Sequence, residues 1–463
     1  MEHSEKVRIV SEQLKRLYVL GKKVKVYHGG TNSTRAQDLK CDEVVDTSHF
    51  DEVLSINLED NFALVEPNVS MEKLVRATLK VGLIPSVVME FPAITVGGAI
   101  QGTAEESSSF KYGLFHNICL EYEIVLGNGD VQNCSNELSP DLFYGTAGSY
   151  GSLGIITLIK LKLIPSKKFI KLSYFPTYSF EENIQSTKRF TESDAEFVDS
   201  IIFSSNSGVV MVGYLSDDAK EDVRTFRKAK DEWFYLHAKR IAEKEERHTE
   251  YIPIKDYFFR YDRGGFWMGR LAFKFLKVPF NRVTRCFFDV FMSTRTLYHS
   301  LHSANLSQKF IIQDLSLPFE QTLDFLKFSD VALGIYPLWI CPLKPDSNVT
   351  LSPNFIKTDL VMNVGLWGEL KGEDVVRVNR DIEDTVNKLG GRKMLYAHTY
   401  YPEDKFWKIY DHQRYLELRK KYHADNTIFD IYTKVKVKGY YKGSIFRGAI
   451  NFLRSPFQIP LAK

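Results

Sequence analysis

The run 95–113, T-V-G-G-A-I-Q-G-T-A-E-E-S-S-S-F-K-Y-G, constrains this chain more than any other segment. It holds Gly97, Gly98, Gly102 and Gly113 and a serine triplet, with few bulky side chains between them. Without a Cβ the backbone can take positive φ and approach a ligand closely. Successive N–H groups in such a stretch form an anion-binding concavity. As core packing the run would be poorly specified, because glycine leaves nothing to interdigitate. It is suited to lie along an extended, phosphate-bearing cofactor.

Two more glycine-rich segments accompany it. Val26 to Arg35 reads V-Y-H-G-G-T-N-S-T-R and follows a V-K-V alternation that predicts a short strand. Thr31, Asn32, Ser33 and Thr34 offer donors to phosphate oxygens, and Arg35 offers positive charge. Gly145 to Thr157 reads G-T-A-G-S-Y-G-S-L-G-I-I-T. A single loop of this kind is commonly a hairpin turn. Three of them, each beside a predicted strand, point to one composite site. None reads G-x-G-x-x-G between a strand and a helix, and none is a P-loop.

At 463 residues the chain exceeds one ordinary domain and predicts two. A net charge of +3 carries no nucleic-acid footprint. Cys41, Cys119, Cys134, Cys286 and Cys341 form no C-x-x-C, so neither a disulfide framework nor a metal site is expected. That usage fits a reducing, cytoplasmic compartment. The N-terminus has no apolar signal region, and no apolar run is long enough for a transmembrane helix. The 33 Phe and 24 Tyr suit either a large apolar pocket or a well-filled core.

Along the chain, apolar spacing predicts an amphipathic helix at 4–20, strands near 24–28, 43–46 and 62–66, and helices near 48–54 and 71–81. Gly82 stands where a C-cap glycine is expected. G-N-G-D at 127–130 predicts a hairpin turn, and a strand follows near 155–163. The pattern is α+β without a βαβ repeat. Residues 169–215 hold strand-like segments such as F-I-K-L-S-Y and G-V-V-M-V-G-Y, and 217–249 read as a charged, solvated helix. Residues 266–300 interleave Arg and Lys with Phe, Leu, Met and Trp. They fit either core helices or an interfacial surface that docks on a bilayer. The basic, aromatic C-terminal tail fits a membrane-surface segment or a frayed end.

The order and wording of the three glycine segments resemble the FAD-binding domain of the p-cresol methylhydroxylase and vanillyl-alcohol oxidase superfamily. The third segment carries its D-L-F-x-x-x-x-G-S-x-G-x-x-G-I-I-T form from Asp141 to Thr157. A narrower resemblance is to the delta-24 sterol reductase (Diminuto) family. It rests on E-S-S-S-F-K-Y-G-L-F, C-L-E-Y-E-I-V-L-G-N-G, Y-I-P-I-K-D-Y-F-F-R-Y (251–261), Q-D-L-S-L-P (313–318), I-Y-P-L-W-I-C-P (335–342) and M-L-Y-A-H-T-Y-Y (394–401).

The resemblance implies an α+β, two-domain fold. An FAD-binding domain spans 1–165 and a cap or substrate domain 166–390. A C-terminal segment, 391–463, returns toward the FAD domain. FAD contacts are expected from Gly29, Gly30, Thr31, Asn32, Ser33, Thr34 and Arg35 of the first loop. Thr95, Val96, Gly97, Gly98, Gly102, Thr103, Glu106, Ser107, Ser108, Ser109, Tyr112 and Gly113 of the second run are expected to follow, with Gly148, Gly154 and Ile155 of the third. Thr31 stands where some superfamily members carry a flavin-bonding histidine. His28, His116 and Cys119 lack the spacing of a tether, so FAD is expected to be non-covalent. Animal members of the family carry an N-terminal membrane span and a degenerate first loop. The well-kept loop here suggests a soluble branch, or one peripheral on the endoplasmic reticulum membrane.

The implied activity is NADPH-driven reduction of an isolated side-chain alkene in a sterol or related isoprenoid. Such an alkene is not conjugated to a carbonyl, so hydride alone does not add to it. A general acid must supply a proton to the other carbon. The candidates are Tyr336, Tyr396, His398, Tyr400 and Lys255, with Tyr400 and His398 favoured by their segment. Two alternatives stay open. One is an FAD-linked oxidase or dehydrogenase of another hydrophobic metabolite. The other is a flavin- or sterol-binding protein without turnover.

Overall fold

Val7, Val10, Leu14 and Leu17 recur at helical spacing, and all four are buried on one face of helix His3–Val19. That face packs on Val24, Val45, Phe50, Val125, Ile155, Ala424 and Ile428. It therefore joins the start, middle and end of the chain. The computed structural model describes residues 1–29, 43–220, 222–303, 310–370 and 374–437.

Strands β1 (Lys25–Tyr27) and β2 (Val44–Asp46) pair in parallel. Strands β3 (Val53–Asn57), β4 (Phe62–Val65), β5 (Leu83–Pro85), β6 (Cys119–Leu126), β7 (Val131–Ser135) and β8 (Gly154–Pro165) form an antiparallel sheet. Its order is β3-β4-β8-β6-β7, with β5 pairing the far end of β8. The chain then crosses to a second sheet of β9 (Phe169–Thr177), β10 (Phe197–Ser204), β11 (Ser207–Ser216), β12 (His248–Pro253), β13 (Phe310–Pro318), β14 (Leu338–Leu343), β15 (Val361–Glu369) and β16 (Arg392–Lys393). This sheet is antiparallel throughout, in the order β12-β9-β11-β10-β14-β15-β13-β16.

The two-residue period of the strands divides the second sheet's residues between two environments. Ile202, Leu315, Leu317, Leu338, Ile340, Met362, Val364 and Leu366 pack with the helices Phe180–Thr191, Phe319–Ala332 and Val375–Lys388. Their neighbours Asp199, Asp314, Trp339, Asn363 and Trp367 face the other way, toward the first half of the chain.

Two sequence expectations are corrected. The helix expected at 48–54 is a turn followed by β3, because Val53–Asn57 pairs with β4. Pairing along a sheet overrides the weak local preference. Helix within 217–249 is confined to Phe234–Lys244. Before it the backbone is irregular. The Arg263 guanidinium donates to the carbonyls of Phe226, Ala229 and Asp231, supplying the partners a helix would have provided.

The hairpin at 127–130 forms as expected, with Leu126 N–H donating to Asp130 O at 2.8 Å. Gly127 also abuts the C-terminal segment: a Cβ there would lie 2.0 Å from the carbonyl oxygen of His423. Helix His412–Lys421 docks alongside, with Tyr422 Oη donating to Asp141 Oδ1 at 2.8 Å. Gly127→Ala is expected to cost about 1–3 kcal/mol, the range for overpacking, measured by denaturant unfolding of the flavin-free protein.

Candidate active site

The first glycine loop rises from β1, whose Tyr27 carbonyl accepts from Thr47 N–H at 2.8 Å. Asn68 N–H donates to Phe50 O, and Gly97 N–H to Pro67 O. These contacts hand the stem of the first loop to the start of the second run. A Cβ on Gly97 would meet Pro67 Cβ at 2.7 Å, so this close approach requires glycine. Thr95 caps the short helix Val96–Gln101 by accepting from Gly98 N–H. Gln101 Oε1 then accepts from Gly151 N–H at 2.7 Å and from Ser149 Oγ, which fixes the third segment against the second. Gly148 N–H donates to Ile100 O.

Thr103 and Tyr150 hold positive φ, +50° and +55°. A β-branched residue there is strained by about 1–3 kcal/mol, and such strain clusters at ligand sites. His49 Nε2, beside the first loop's stem, and Thr146 Oγ1, in the third segment, are buried without a hydrogen-bond partner. A ligand can satisfy such atoms. Closely approached glycine backbone, strained loop residues and orphaned donors fit an extended phosphate-bearing dinucleotide.

One cation here was not singled out in the sequence. Lys434 Nζ, from helix Ile431–Val435, donates to the carbonyls of Tyr150 and Gly151, each at 2.9 Å. Burial, then the charge of Arg419, pulls its pKa down to about 7. Its charge also helps hold His28, at the mouth of the first loop, below the usual imidazole range, although burial is the larger cause there.

Beyond the glycines, the second run enters a buried cluster of carboxyls. Glu105 and Glu106 meet Asp199 of β10, Asp314 of β13 and Glu90. Arg260 is the basic partner among the described residues here. Its guanidinium lies 3.2 Å from Glu106 Oε1 and 3.0 Å from Asp199 Oδ2. It is stacked against Tyr257 at 4.1 Å and Tyr261 at 4.5 Å. Tyr261 Oη and Trp339 Nε1 both donate to Asp199 Oδ2, at 2.6 and 3.0 Å.

Five carboxyls around one guanidinium cannot all be ionised in a dry site. Burial pushes Glu90 up to about 8, helped by Glu106. Burial and the neighbouring Asp314 and Glu90 hold Glu105 well above the usual range. Burial raises Asp314 to about 6. Asn363 Nδ2 donates to both Glu105 Oε1, at 3.2 Å, and Asp314 Oδ1, at 3.0 Å. Tyr396 Oη donates to Asp314 Oδ2 at 2.5 Å and accepts from Trp367 Nε1 at 3.2 Å. Glu90, Tyr298 and Tyr396 border the cluster and are each only partly buried as whole residues. Aromatic rings pack around the cluster. Phe266 lies 4.0 Å from Tyr261 and 4.5 Å from Trp367, and Phe91 meets it edge-on at 5.8 Å.

The structure sorts the sequence candidates. Gly29 has φ +81° and lies against Ser48. Gly30, Thr31, Asn32, Ser33, Thr34 and Arg35 lie outside the described residues. Ser107 Oγ lies 3.1 Å from Tyr257 Oη, Ser108 Oγ donates to Ser86 O, and Ser109 Oγ accepts from Glu106 N–H. Tyr112 is turned to Glu196, to which it donates at 2.8 Å. Gly113 turns the chain at φ +80°. Gly154 is pressed against Ile124, and Ile155 sits in the core beneath helix His3–Val19.

Of the acid candidates, Tyr396 is the one hydrogen-bonded to Asp314. Tyr400 N–H donates to Glu383 Oε1 at 3.0 Å, and the carbonyl of His398 accepts from Lys393, the ion-pair partner of Glu383. Tyr336 Oη donates to Asp330, and Lys255 pairs with Glu72. His116 is bound to Asp346 at 3.1 Å, and burial pushes the Cys119 thiol up to about 12.

Glu90, Glu105, Asp199, Arg260, Asp314 and Lys434 were missed. Asp314 and Arg260 lie inside quoted motifs. The usable signal was a charge at an otherwise apolar strand or aromatic position. Lys434→Met is expected to weaken FAD retention about tenfold, the loss of one charge-assisted contact, read as flavin absorbance per chain after gel filtration.

A family model described as an FAD binding domain matches residues 5–135. Delta(24)-sterol reductase of Mus musculus is 27% identical over 449 residues, covering 94% of this chain and 86% of that protein. Delta(24)-sterol reductase of Pisum sativum is 31% identical over 445 residues, covering 85% of this chain and 76% of that protein. Cytokinin dehydrogenase 6 of Oryza sativa subsp. japonica is 32% identical over 129 residues, covering 27% of this chain and 24% of that protein. The coverage runs through both sheets, and the chain belongs to the delta(24)-sterol reductase family.

Proposed function

We propose that this chain is an FAD-dependent reductase of the Δ24 side-chain double bond of a sterol, with NADPH as electron donor. The observation that carries the reading is the set of buried, proton-holding carboxyls where the second glycine run meets the cap sheet. An oxidase would want a base at that place, whereas burial raises Glu90 to about 8 and holds Glu105 well above the usual carboxyl range, so protons are held beside Asp314.

The three glycine segments and Lys434 would hold FAD non-covalently. Bound there, FAD supplies the two-electron redox chemistry. The chain supplies the proton. With Asp314 protonated on Oδ2, that oxygen would donate to Tyr396 Oη and free the phenol's own proton for the alkene, and the Asp314 proton would then pass to Tyr396 along the hydrogen bond. Protonating an isolated alkene builds positive charge on the more substituted carbon. The acidic surroundings and the faces of Phe266 and Trp367 favour that charge, while their apolar bulk excludes water.

Stopped-flow mixing under nitrogen tests the reading. NADPH should bleach the flavin, and a Δ24-sterol should restore its colour. If NADPH fails while an alcohol bleaches it, the reductase reading is wrong. If no reductant does so, the protein binds without turnover. Colour in the pellet after acid precipitation would contradict non-covalent FAD.

The pH dependence has a definite sign. Asp314 has a folded pKa of about 6, above its ordinary 3.8. It is protonated below 6 and loses its proton as pH rises. Sterol-dependent reoxidation should therefore slow as pH rises above about 6, where flavin reduction by NADPH need not. Asp314→Asn should slow reoxidation about 100-fold and flatten that limb.

Membrane contact is a further part of the proposal. Helix Arg282–Phe287 buries none of its residues. Val283 and Phe287, one turn apart on one face, are each 77% exposed, and Val290 is 61% exposed. Arg282 and Arg285 flank them. This favours the interfacial reading of 266–300, with the apolar tips inserted and the guanidiniums at anionic headgroups. The basic C-terminal tail lies outside the described residues. No described helix is long and apolar enough to cross a membrane. The double variant Val283→Ser, Phe287→Ser should co-sediment less with phosphatidylserine liposomes, and unchanged binding would count against this surface.

A further inference from the structure

His237, His248 and Glu250 form a cluster that the flavin chemistry does not use. His237 lies on helix Phe234–Lys244, and His248 and Glu250 are the first and third residues of β12. Positions two apart on a strand project to one side, and the helix packs over that side. His237 and Glu250 are buried, while His248 is half-buried at the sheet edge.

We propose that these three side chains bind a zinc-class divalent cation. His237 Nε2 lies 3.0 Å from Glu250 Oε2, and His248 Nε2 lies 3.3 Å from the same oxygen. One ligand atom from each residue falls within 4.8 Å of the other two. A tetrahedral ion with bonds of about 2.0–2.1 Å holds its ligand atoms about 3.3 Å apart, so these edges need little adjustment to admit one. Two imidazoles and one carboxylate suit zinc over the oxygen-seeking magnesium or calcium.

The surroundings have the form of an outer ligand shell. Tyr174 Oη donates to the other carboxylate oxygen, Glu250 Oε1, at 2.5 Å. Arg240 Nη2 donates to Glu232 Oε2 and to His237 Nδ1, each at 2.9 Å, and Glu232 Oε2 lies 3.5 Å from that Nδ1; an ion on His237 Nε2 would put the ring proton on Nδ1, where Glu232 can accept it once Arg240 turns aside. The exposed flank of His248 leaves the fourth position to water. β12 is an edge strand, with β13 and its Asp314 on the far side of five intervening strands. The ion is therefore a structural clip. It fastens helix Phe234–Lys244 to the last strand of the sheet.

The test uses the flavin-loaded protein, stripped with EDTA and then dialysed against zinc chloride. One zinc per chain should remain by elemental mass spectrometry, with the melting temperature raised by a few degrees over the stripped sample. His248→Gln should retain at least tenfold less zinc and lose the thermal shift while keeping its flavin. A second variant, His248→Cys, should recover zinc binding, because a thiolate is also a good ligand. Less than a tenth of a zinc per chain in the parent, or equal zinc in parent and His248→Gln, would overturn the proposal and leave a buried histidine–carboxylate pair.

Discussion

The guanidinium of Arg260 joins the two halves of this molecule. One side of it meets Glu106, in the glycine-rich run, and the other meets Asp199, on the second sheet. Arginine suits the place because its planar fork serves two carboxylates and stacks on the rings of Tyr257 and Tyr261 at once. A buried ion pair of this kind adds little net stability, since desolvation offsets much of the attraction. Breaking it, however, strands charge in a dry interface. Its contribution is to specify how the run sits on the sheet, and every contact of the active site follows from that placement.

The same interface explains where protons are stored. Arg260 compensates Glu106 and Asp199, and Asp199 gains two more donors from Tyr261 and Trp339. No guanidinium contacts Glu105 or Asp314 among the described residues; they share the amide of Asn363, and Asp314 also accepts from Tyr396. Two groups of acids thus lie side by side. Glu106 and Asp199 share the guanidinium and anchor the fold, while burial raises Glu90, Glu105 and Asp314. Environments that push like groups apart in pKa are how one site assigns anchoring and acid roles to the same residue type.

Much of this was legible in the sequence, unevenly. Helix 71–79 announced itself by its apolar spacing, and Ser70 caps it as such a residue should. The hairpin at 127–130 was likewise local information. The segment 48–54 was misread because its fate is decided by β4, to which β3 is paired. The glycine-rich run was readable because glycine at a close approach, as of Gly97 to Pro67, cannot be replaced. The proposed proton donors were not, since Asp314 looks like any strand aspartate until pairing with β15 brings Asn363 near it. Tyrosine is abundant here, and only the bond to Asp314 distinguishes Tyr396 from Tyr400, which belongs to the Glu383–Lys393 pair.

Lys434 shows a further limit. It lies far along the chain from the loop it holds, on a helix of five residues with no distinctive pattern. It reaches the third glycine segment because the C-terminal helices double back. Arg419 donates to Ser152 O and to the carbonyls of Ala424 and Ile428, and Tyr415 Oη donates to Ser152 Oγ at 2.8 Å. These bonds make the last helices a brace for the cradle. They also place two cations, Arg419 and Lys434, behind a loop built to receive an anion. Their mutual repulsion is part of what lowers the Lys434 pKa, and an anionic cofactor relieves it. An anion held at this proposed cradle would therefore stabilise the C-terminal segment through the same two charges.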